Sequence, residues 1–378
     1  MAASESDNAP EHPRVLMTAD AVGGVWQYAV DLLEELNRRG FESLLATMGP
    51  PPTEQQRRQI VDLPRTKLAE SQFALEWMQD PWTDVDRAGE WLLDLESEFR
   101  PDVIHLNGYA HASLKWKRPV LIAAHSCVSS WWRAVYGEPP GPEWNEYKRR
   151  VMEGLRAAAI AIAPSKAISE ALVREYGIEQ SRIHVIHNFS QKPQLSVRNR
   201  KQRFVLAGGR IWDRAKNISL LDRIAPELNW EIRVAGNNVG PEGATDAGCS
   251  LCMLGPLSRP ELLAEMEGAS IFAHPALYEP FGLSVLEAAH RECCLVLSDI
   301  PSLRELWDDA AVFLDPHDPD RWIAELNRLI HDAESRYRFA SLARECAARY
   351  DGNSAVQAYI DAYCSLLRDE KARKEAAA

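Results

Sequence analysis

RVLMTADAVGGVWQYAVDLLEELNRRG, residues 14–40, opens on an apolar run, turns on two adjacent glycines and continues with apolar residues at helical spacing as far as Gly40. RVLMTA (14–19) reads as a strand buried on both faces, and 23–40 as an amphipathic helix stopped by a glycine. A fully apolar strand followed directly by such a helix is the repeating unit of a parallel sheet covered on both sides. The decisive question is whether the unit recurs.

It recurs twice over. SLLAT (43–47), DVIHLNG (102–108), VLIAAHS (120–126), AIAIAP (159–164) and RIHVIHNFS (182–190) read as further strands. Helical patterns fall at 84–99, about 143–158 and 165–177. QKPQLSVRNRKQR (191–203) is polar, basic and without periodicity, and reads as a linker. The alternation then restarts with RFVLAGG (203–209), WEIRVAG (230–236), CMLGP (252–256), SIFAHP (270–275), CLVLSD (294–299) and AVFLDP (311–316). The predicted fold class is therefore α/β, with two doubly wound Rossmann-like domains facing an interdomain cleft. The expected divisions are a disordered leader at 1–13, a first domain at 14–190, a linker at 191–202, a second domain at 203–352 and a C-terminal helix at 353–378 that crosses back to the first domain.

Bulk properties fit this layout. A chain of 378 residues exceeds one ordinary core and suits two. With 43 basic and 55 acidic residues the formal net charge is −12, which argues against nucleic acid or an anionic bilayer as partner. The clusters KWKR (115–118) and KRR (148–150) are the features that would favour membrane association. The seven cysteines are an odd number scattered through apolar runs, as expected in a reducing cytoplasm. Cys249 and Cys252 form a lone CxxC with no second pair at ligand spacing, so neither a metal nor another cofactor is expected.

The chemistry concentrates in two stretches of the second half. In EPFGLSVLE (279–287), Phe281, Gly282 and Leu283 offer backbone N–H groups at a helix start, where the dipole favours an anion. Gly282 has no Cβ to obstruct a phosphate. Glu287, a turn and a half into the helix, presents two acceptor oxygens suited to a vicinal diol such as a ribose. Glu279 is held in the preceding loop, facing whatever lies beyond the phosphates. In FVLAGGRIWDRAKN (204–217), Arg210 and Lys216 lie after a strand and near the next helix, where both cations can converge on one diphosphate.

These stretches, with GP at 255–256 and SDIPSLREL at 298–306, resemble in order and spacing the C-terminal domain of retaining family 4 glycosyltransferases of the GT-B fold. Glu279 and Glu287 match that group's Glu-x7-Glu element. The resemblance is strong over about 203–316 and looser in the first half. It implies transfer of a sugar, with UDP-glucose the first donor to try, from a nucleoside diphosphate to an unidentified acceptor. It further implies retention at the anomeric carbon by front-face attack and no obligatory metal. Arg210 and Lys216 would then stabilise the leaving diphosphate, Glu287 would hold the ribose, Glu279 would lie by the donor sugar, and the backbone from Gly255 to Ser258 would meet the base. His125, ending VLIAAHS, matches a histidine near donor sugar and acceptor. Gly23 and Gly24 form a turn whose N–H groups can reach the donor, although GGVW lacks the dinucleotide fingerprint of a nicotinamide enzyme.

The chain departs from the family at AAHRECCLVLSD (288–299), where a small-residue turn is usual, and at His274, which is either a sugar contact or a packed residue. Asn107, Tyr109, Trp131 and Trp132 are candidate acceptor contacts, the tryptophans as a stacking platform or as core. Asp84-Val85-Asp86 has the spacing of a metal-binding DxD but falls in a helical pattern, which removes the competing metal-dependent transferase fold. A non-catalytic sugar- or nucleotide-binding protein on the same fold is the alternative. It would bind donor without turnover.

Overall fold

The structure is a computed structural model and describes residues 12–191, 201–240, 243–244 and 250–377. The leader as far as residue 11, most of the linker, and Cys249 of the CxxC lie outside the described residues. The first domain runs β1 (Val15–Asp20), α1 (Gly24–Arg38), β2 (Ser43–Met48), α2 (Glu54–Val61), β3 (Thr66–Glu70), α3 (Trp82–Phe99), β4 (Val103–Leu106) and β5 (Val120–Ala123). It continues with α4 (Val128–Tyr136), α5 (Asn145–Ala157), β6 (Ile160–Ala163), α6 (Lys166–Tyr176) and β7 (Ile183–Val185). Its strands form a 7-stranded parallel sheet in the order β3-β2-β1-β4-β5-β6-β7.

The second domain contains β8 (Gln202–Gly208), α7 (Ile218–Ile224), β9 (Glu231–Ala235), a two-stranded hairpin of β10 (Val239–Gly240) and β11 (Gly243–Ala244), and β12 (Cys252–Gly255). It continues with α8 (Arg259–Gly268), β13 (Ala269–His274), α9 (Leu283–His290), β14 (Cys294–Ser298), α10 (Pro301–Trp307) and β15 (Val312–Leu314). The 6-stranded parallel sheet has the order β12-β9-β8-β13-β14-β15, and α11 (Pro319–His331), α12 (Ala333–Ala347) and α13 (Gly352–Ala377) follow.

Alternation along each strand splits the cores by face. Val15, Met17 and Ala19 of β1 pack with Leu32, Leu33 and Leu36 of α1, whereas Leu16 joins Ile104, Val151 and Leu155 on the other side. Each sheet reverses its strand order beside its first strand, between β1 and β4 in one and between β8 and β13 in the other. Loops diverge at such a point and leave a crevice at the carboxyl ends. The two crevices face each other, since a Cβ added at Gly23, after β1, would lie 3.4 Å from Nη1 of Arg210, after β8.

Helix α13 belongs to the core of the first domain. Val356, Tyr359 and Tyr363 are buried with β1 and α1. His105 of β4 stands between the Tyr28 hydroxyl (3.2 Å from Nε2) and the Tyr363 hydroxyl (2.7 Å from Nδ1). A neutral imidazole has one donor and one acceptor, which the two hydroxyls match.

Two elements have little sequence signal. Helix α2, EQQRRQIV, buries only Ile60 and is set by a capping box between Thr53 and Gln56. Edge strand β3, TKLAE, has no buried residue. The stretch containing Trp131 and Trp132 is helix α4, started by Cys127.

Burial pushes the His105 imidazole from 6.5 down to about 3. Between those values the unfolded chain binds the proton and the folded one does not, so stability is lost as pH falls below 6.5. Through this residue alone, moving from about pH 7.5 to about pH 5 is expected to cost roughly 2 kcal/mol. Urea unfolding of wild type and His105→Gln at both pH values checks it, and equal slopes for the two proteins would contradict it.

Candidate active site

Helix α9 begins abruptly. Gly282 precedes it at φ 87°, in the left-handed region, and no side chain caps the first turn. A Cβ at 282 would meet Val285 Cγ2 at 3.1 Å and Glu279 Cγ at 3.4 Å, so the turn requires glycine on steric and torsional grounds together. Across the cleft, α1 also starts without a side-chain cap. The two starts adjoin, since a Cβ on Gly24 would lie 3.9 Å from Leu283 Cδ1. Two helix N-termini from opposite domains thus leave their positive ends around one place.

Two cations border that place. Arg210 follows β8, lies against Gly23, and donates from Nη2 to Asp213 Oδ2 at 2.8 Å. Asp213 is buried, and its Oδ1 also accepts from Ala215 N (3.0 Å) and from Trp131 Nε1 of the first domain (3.1 Å). Lys216 ends the short turn begun by Asp213 and donates from Nζ to Glu279 Oε2 at 2.7 Å. His274, at the end of β13, places Nε2 2.9 Å from the same oxygen. Burial alone would raise the Glu279 carboxyl, but Lys216 and His274 outweigh it and hold it well below the usual carboxylate range. Ser302 donates to the Glu279 carbonyl and Ser165 Oγ of the first domain to the Pro280 carbonyl at 2.9 Å, so the loop before α9 is tied from both domains.

Glu287 is buried on α9 and accepts at Oε1 from Arg259 Nε (3.0 Å), with Nη2 of the same guanidinium in ion-pair contact at 2.9 Å. Burial pushes its carboxyl up, with Arg259 opposing. Gly255 ends β12 at φ 70° and, among the described residues, no atom beyond its chain neighbours lies within 4 Å of where its Cβ would be. Ser258 closes a capping box with Glu261 at the start of α8.

On the first-domain side, His125 Nε2 lies 2.8 Å from Asn107 Oδ1. The Asn107 amide is oriented by Nδ2 donating to the Thr18 carbonyl at 2.6 Å, so Oδ1 accepts and His125 carries its proton on Nε2. Burial pushes this imidazole down to about 4, and it is neutral at neutral pH. Asp20 ends β1, accepts from Val22 N at 2.9 Å and is raised by burial, with the backbone N–H groups and Arg210 opposing. A cavity of about 50 Å³ lined by Thr18, Asp20, Met48, Glu76, Asn107 and His111 opens here. A larger cavity of about 630 Å³, lined by Trp116, Arg118, Arg156, Arg182 and Leu366, lies at the opposite, amino ends of β5 to β7.

The structure therefore brings Gly23, Gly24, Arg210, Lys216, Glu279, Gly282, Leu283 and Glu287 around the facing crevices, with His125 and Asn107 on the first-domain side, whereas the Phe281 ring is buried in the second-domain core against Tyr350. It corrects the reading of Tyr109. That ring is 3% exposed within the first-domain core, and its hydroxyl is committed to the Ser126 carbonyl at 2.8 Å, so it has no face for an acceptor. Trp131 is bound to Asp213, while Trp132 stacks obliquely on Tyr136 at 4.8 Å. Of the two readings open for His274, the packed one holds: it is buried against Glu279. Asp31, Arg259, Asp213 and Asp20 were not anticipated. Asp31 has a signal in hindsight, as a lone carboxylate among the buried positions of α1.

Two parallel α/β domains whose crevices, at the carboxyl ends of their strands, face each other make the GT-B architecture. The profile of Glycosyltransferase Family 4 matches residues 22–189, and that of Glycosyl transferases group 1 matches 188–346. Together these span most of the chain, which belongs to the family 4 glycosyltransferases. It is 25% identical to a D-inositol 3-phosphate glycosyltransferase of Xylanimonas cellulosilytica, covering 94% of both chains. It is also 25% identical to an O-antigen chain mannosyltransferase of Salmonella typhimurium, over 51% of this chain and 56% of that one. Among solved structures, sucrose-phosphate synthase of Thermosynechococcus elongatus superposes with a TM-score of 0.77 at 15% identity, covering 95% of this chain and 100% of the other. Anabaena HepE in complex with UDP-glucose gives 0.70 at 17% identity, covering 94% and 100%.

Removing the cation from Glu279 leaves a buried carboxylate with His274 alone. Lys216→Met is expected to lose about 3 kcal/mol of stability at neutral pH. Urea unfolding measures it, and a loss within about 0.5 kcal/mol, the range of an ordinary surface substitution, would contradict the buried ion pair.

Proposed function

We propose that this glycosyltransferase is a retaining hexosyltransferase that takes a nucleoside diphosphate sugar, with UDP-glucose as the first donor to test, and needs no metal. The observation that carries the reading is the meeting of two uncapped helix N-termini, Arg210 and Lys216 in one interdomain cleft. A diphosphate leaving group gains negative charge as the glycosidic bond breaks. Fixed dipoles and cations aimed at it lower that barrier without reorganising. They also supply the positive charge that a metal would otherwise bring.

In this reading the diphosphate lies between the starts of α1 and α9, Arg210 and Lys216 neutralise it, and the ribose diol binds Glu287. The backbone from Gly255 to Ser258 takes the base. The hexose then lies toward Glu279 and His125. Glu279 stays ionised, with Oε2 held by Lys216 and His274, which suits a hydrogen-bond acceptor for sugar hydroxyls better than a nucleophile. Front-face attack, in which the departing phosphate oxygen receives the acceptor proton, uses only these groups. Neutral His125, its Nε2 proton given to Asn107, keeps an acceptor lone pair on Nδ1.

The acceptor is unidentified, and the relatives are named for different ones, from an inositol phosphate to an O-antigen chain. Among the described residues no helix is long and apolar enough to cross a membrane. The described cysteines are free thiols, as is usual in a reducing compartment such as the cytoplasm.

Calorimetric titration of the metal-free protein with UDP, GDP and ADP tests the donor reading. One is expected to bind, and Glu287→Ala to weaken it by about 1–3 kcal/mol, the usual cost of removing hydrogen bonds to a charged acceptor. Retention is read from the anomeric configuration of the product by NMR. Binding of none of the three would overturn the reading.

A further inference from the structure

Arg259 does more than touch Glu287. The same guanidinium reaches into the other domain, with Nη1 3.0 Å from Asp31 Oδ1 and Nη2 3.4 Å from Oδ2. Asp31 lies on α1, seven residues beyond its first residue Gly24, and is 1% exposed. Its Oδ1 also accepts from Gln27 at 2.8 Å, which fixes the carboxylate on its own helix. One half-buried guanidinium therefore bridges a carboxylate of the helix that starts the anion site and the carboxylate assigned to the ribose.

The arrangement is a poor choice for stability alone. Two buried carboxylates share one cation, and burial pushes Glu287 up and Asp31 up to about 6 against Arg259. An apolar residue at 31 would instead extend the buried face formed by Ala29, Leu32 and Leu33. The geometry at Glu287 is selective as well. Both Arg259 contacts fall on Oε1, and among the described residues Oε2 accepts no hydrogen bond. One oxygen is clamped and the other is left for a ligand. Arg291, the remaining nearby cation, donates from Nη1 to the Glu287 main-chain carbonyl at 3.1 Å and does not compete for Oε2.

Resting on the donor reading above, we infer that Arg259 is a positioning residue: it orients Glu287 toward the ribose and, through Asp31, makes ribose recognition depend on the two domains being together. Lysine cannot replace it, because a single ammonium cannot fork onto two carboxylates in fixed planes. Asp31 is held by Gln27 on its own helix and by Arg259, and of these two only Arg259 also contacts Glu287. Substituting Asp31 therefore separates positioning from direct contact.

The test compares UDP with 2′,3′-dideoxy-UDP by calorimetry on the full chain, or the corresponding GDP or ADP pair if wild type prefers that base. Wild type is expected to prefer the ribose form by about tenfold or more. The near-isosteric Asp31→Asn and the charge-retaining Arg259→Lys are each expected to shrink that preference to about threefold or less while the dideoxy affinity stays within about twofold. A general loss of packing would instead weaken both nucleotides together, and that outcome, or an unchanged preference in both variants, would overturn the inference. Failure of wild type to bind any of the three diphosphates would remove the donor reading itself. Wild-type binding without ribose preference would remove the role of Glu287 and this inference with it, while leaving the anion cleft standing.

Discussion

The cleft depends on a carboxylate that cannot be left alone. Glu279 is buried, and an isolated ion there would carry several kcal/mol of desolvation cost. Lys216 from the loop after β8 and His274 from the end of β13 meet it on one oxygen. These two segments flank the reversal of strand order in the second sheet, so the ion cluster joins the two sides of the crevice. Pro280 and Gly282 follow at once, and the left-handed turn at Gly282 aims α9 at the start of α1. Satisfying one buried charge thereby fixes where the second helix dipole points.

Each cation of the site is paired with a carboxylate. Arg210 is matched by Asp213, Lys216 by Glu279, and Arg259 by Asp31 and Glu287. With three cations set against four carboxylates, positive potential at the helix starts comes from their first N–H groups, which have no side-chain cap. Such a site suits a diphosphate with a neutral sugar and a diol attached. The protein as a whole, at −12, would repel an anion at long range, so recognition here rests on short-range groups.

What the sequence made legible follows from burial. Strands covered on both faces appear as unbroken apolar runs, and β1, β13 and β14 could be read directly for that reason. EPFGLSVLE stood out because Gly282 and two glutamates fall within nine residues around one helix start. Polar elements at the edge, α2 and β3, left little periodicity to read. Contacts between distant segments were invisible: Asp31 and Arg259 are 228 positions apart, and Trp131 finds Asp213 across 82. Tyr109 misled for the opposite reason. Its place after a strand suggested the cleft, but its ring turns inward and its hydroxyl finds a carbonyl there.

Amide hydrogen exchange on the full chain, with and without saturating UDP, tests most directly whether both domains grip one ligand. Slowed exchange is predicted together at the start of α1 (residues 23–27), in the loop 209–217 and at the start of α9 (residues 281–286). Protection confined to the second domain, with the start of α1 unchanged, would contradict the account.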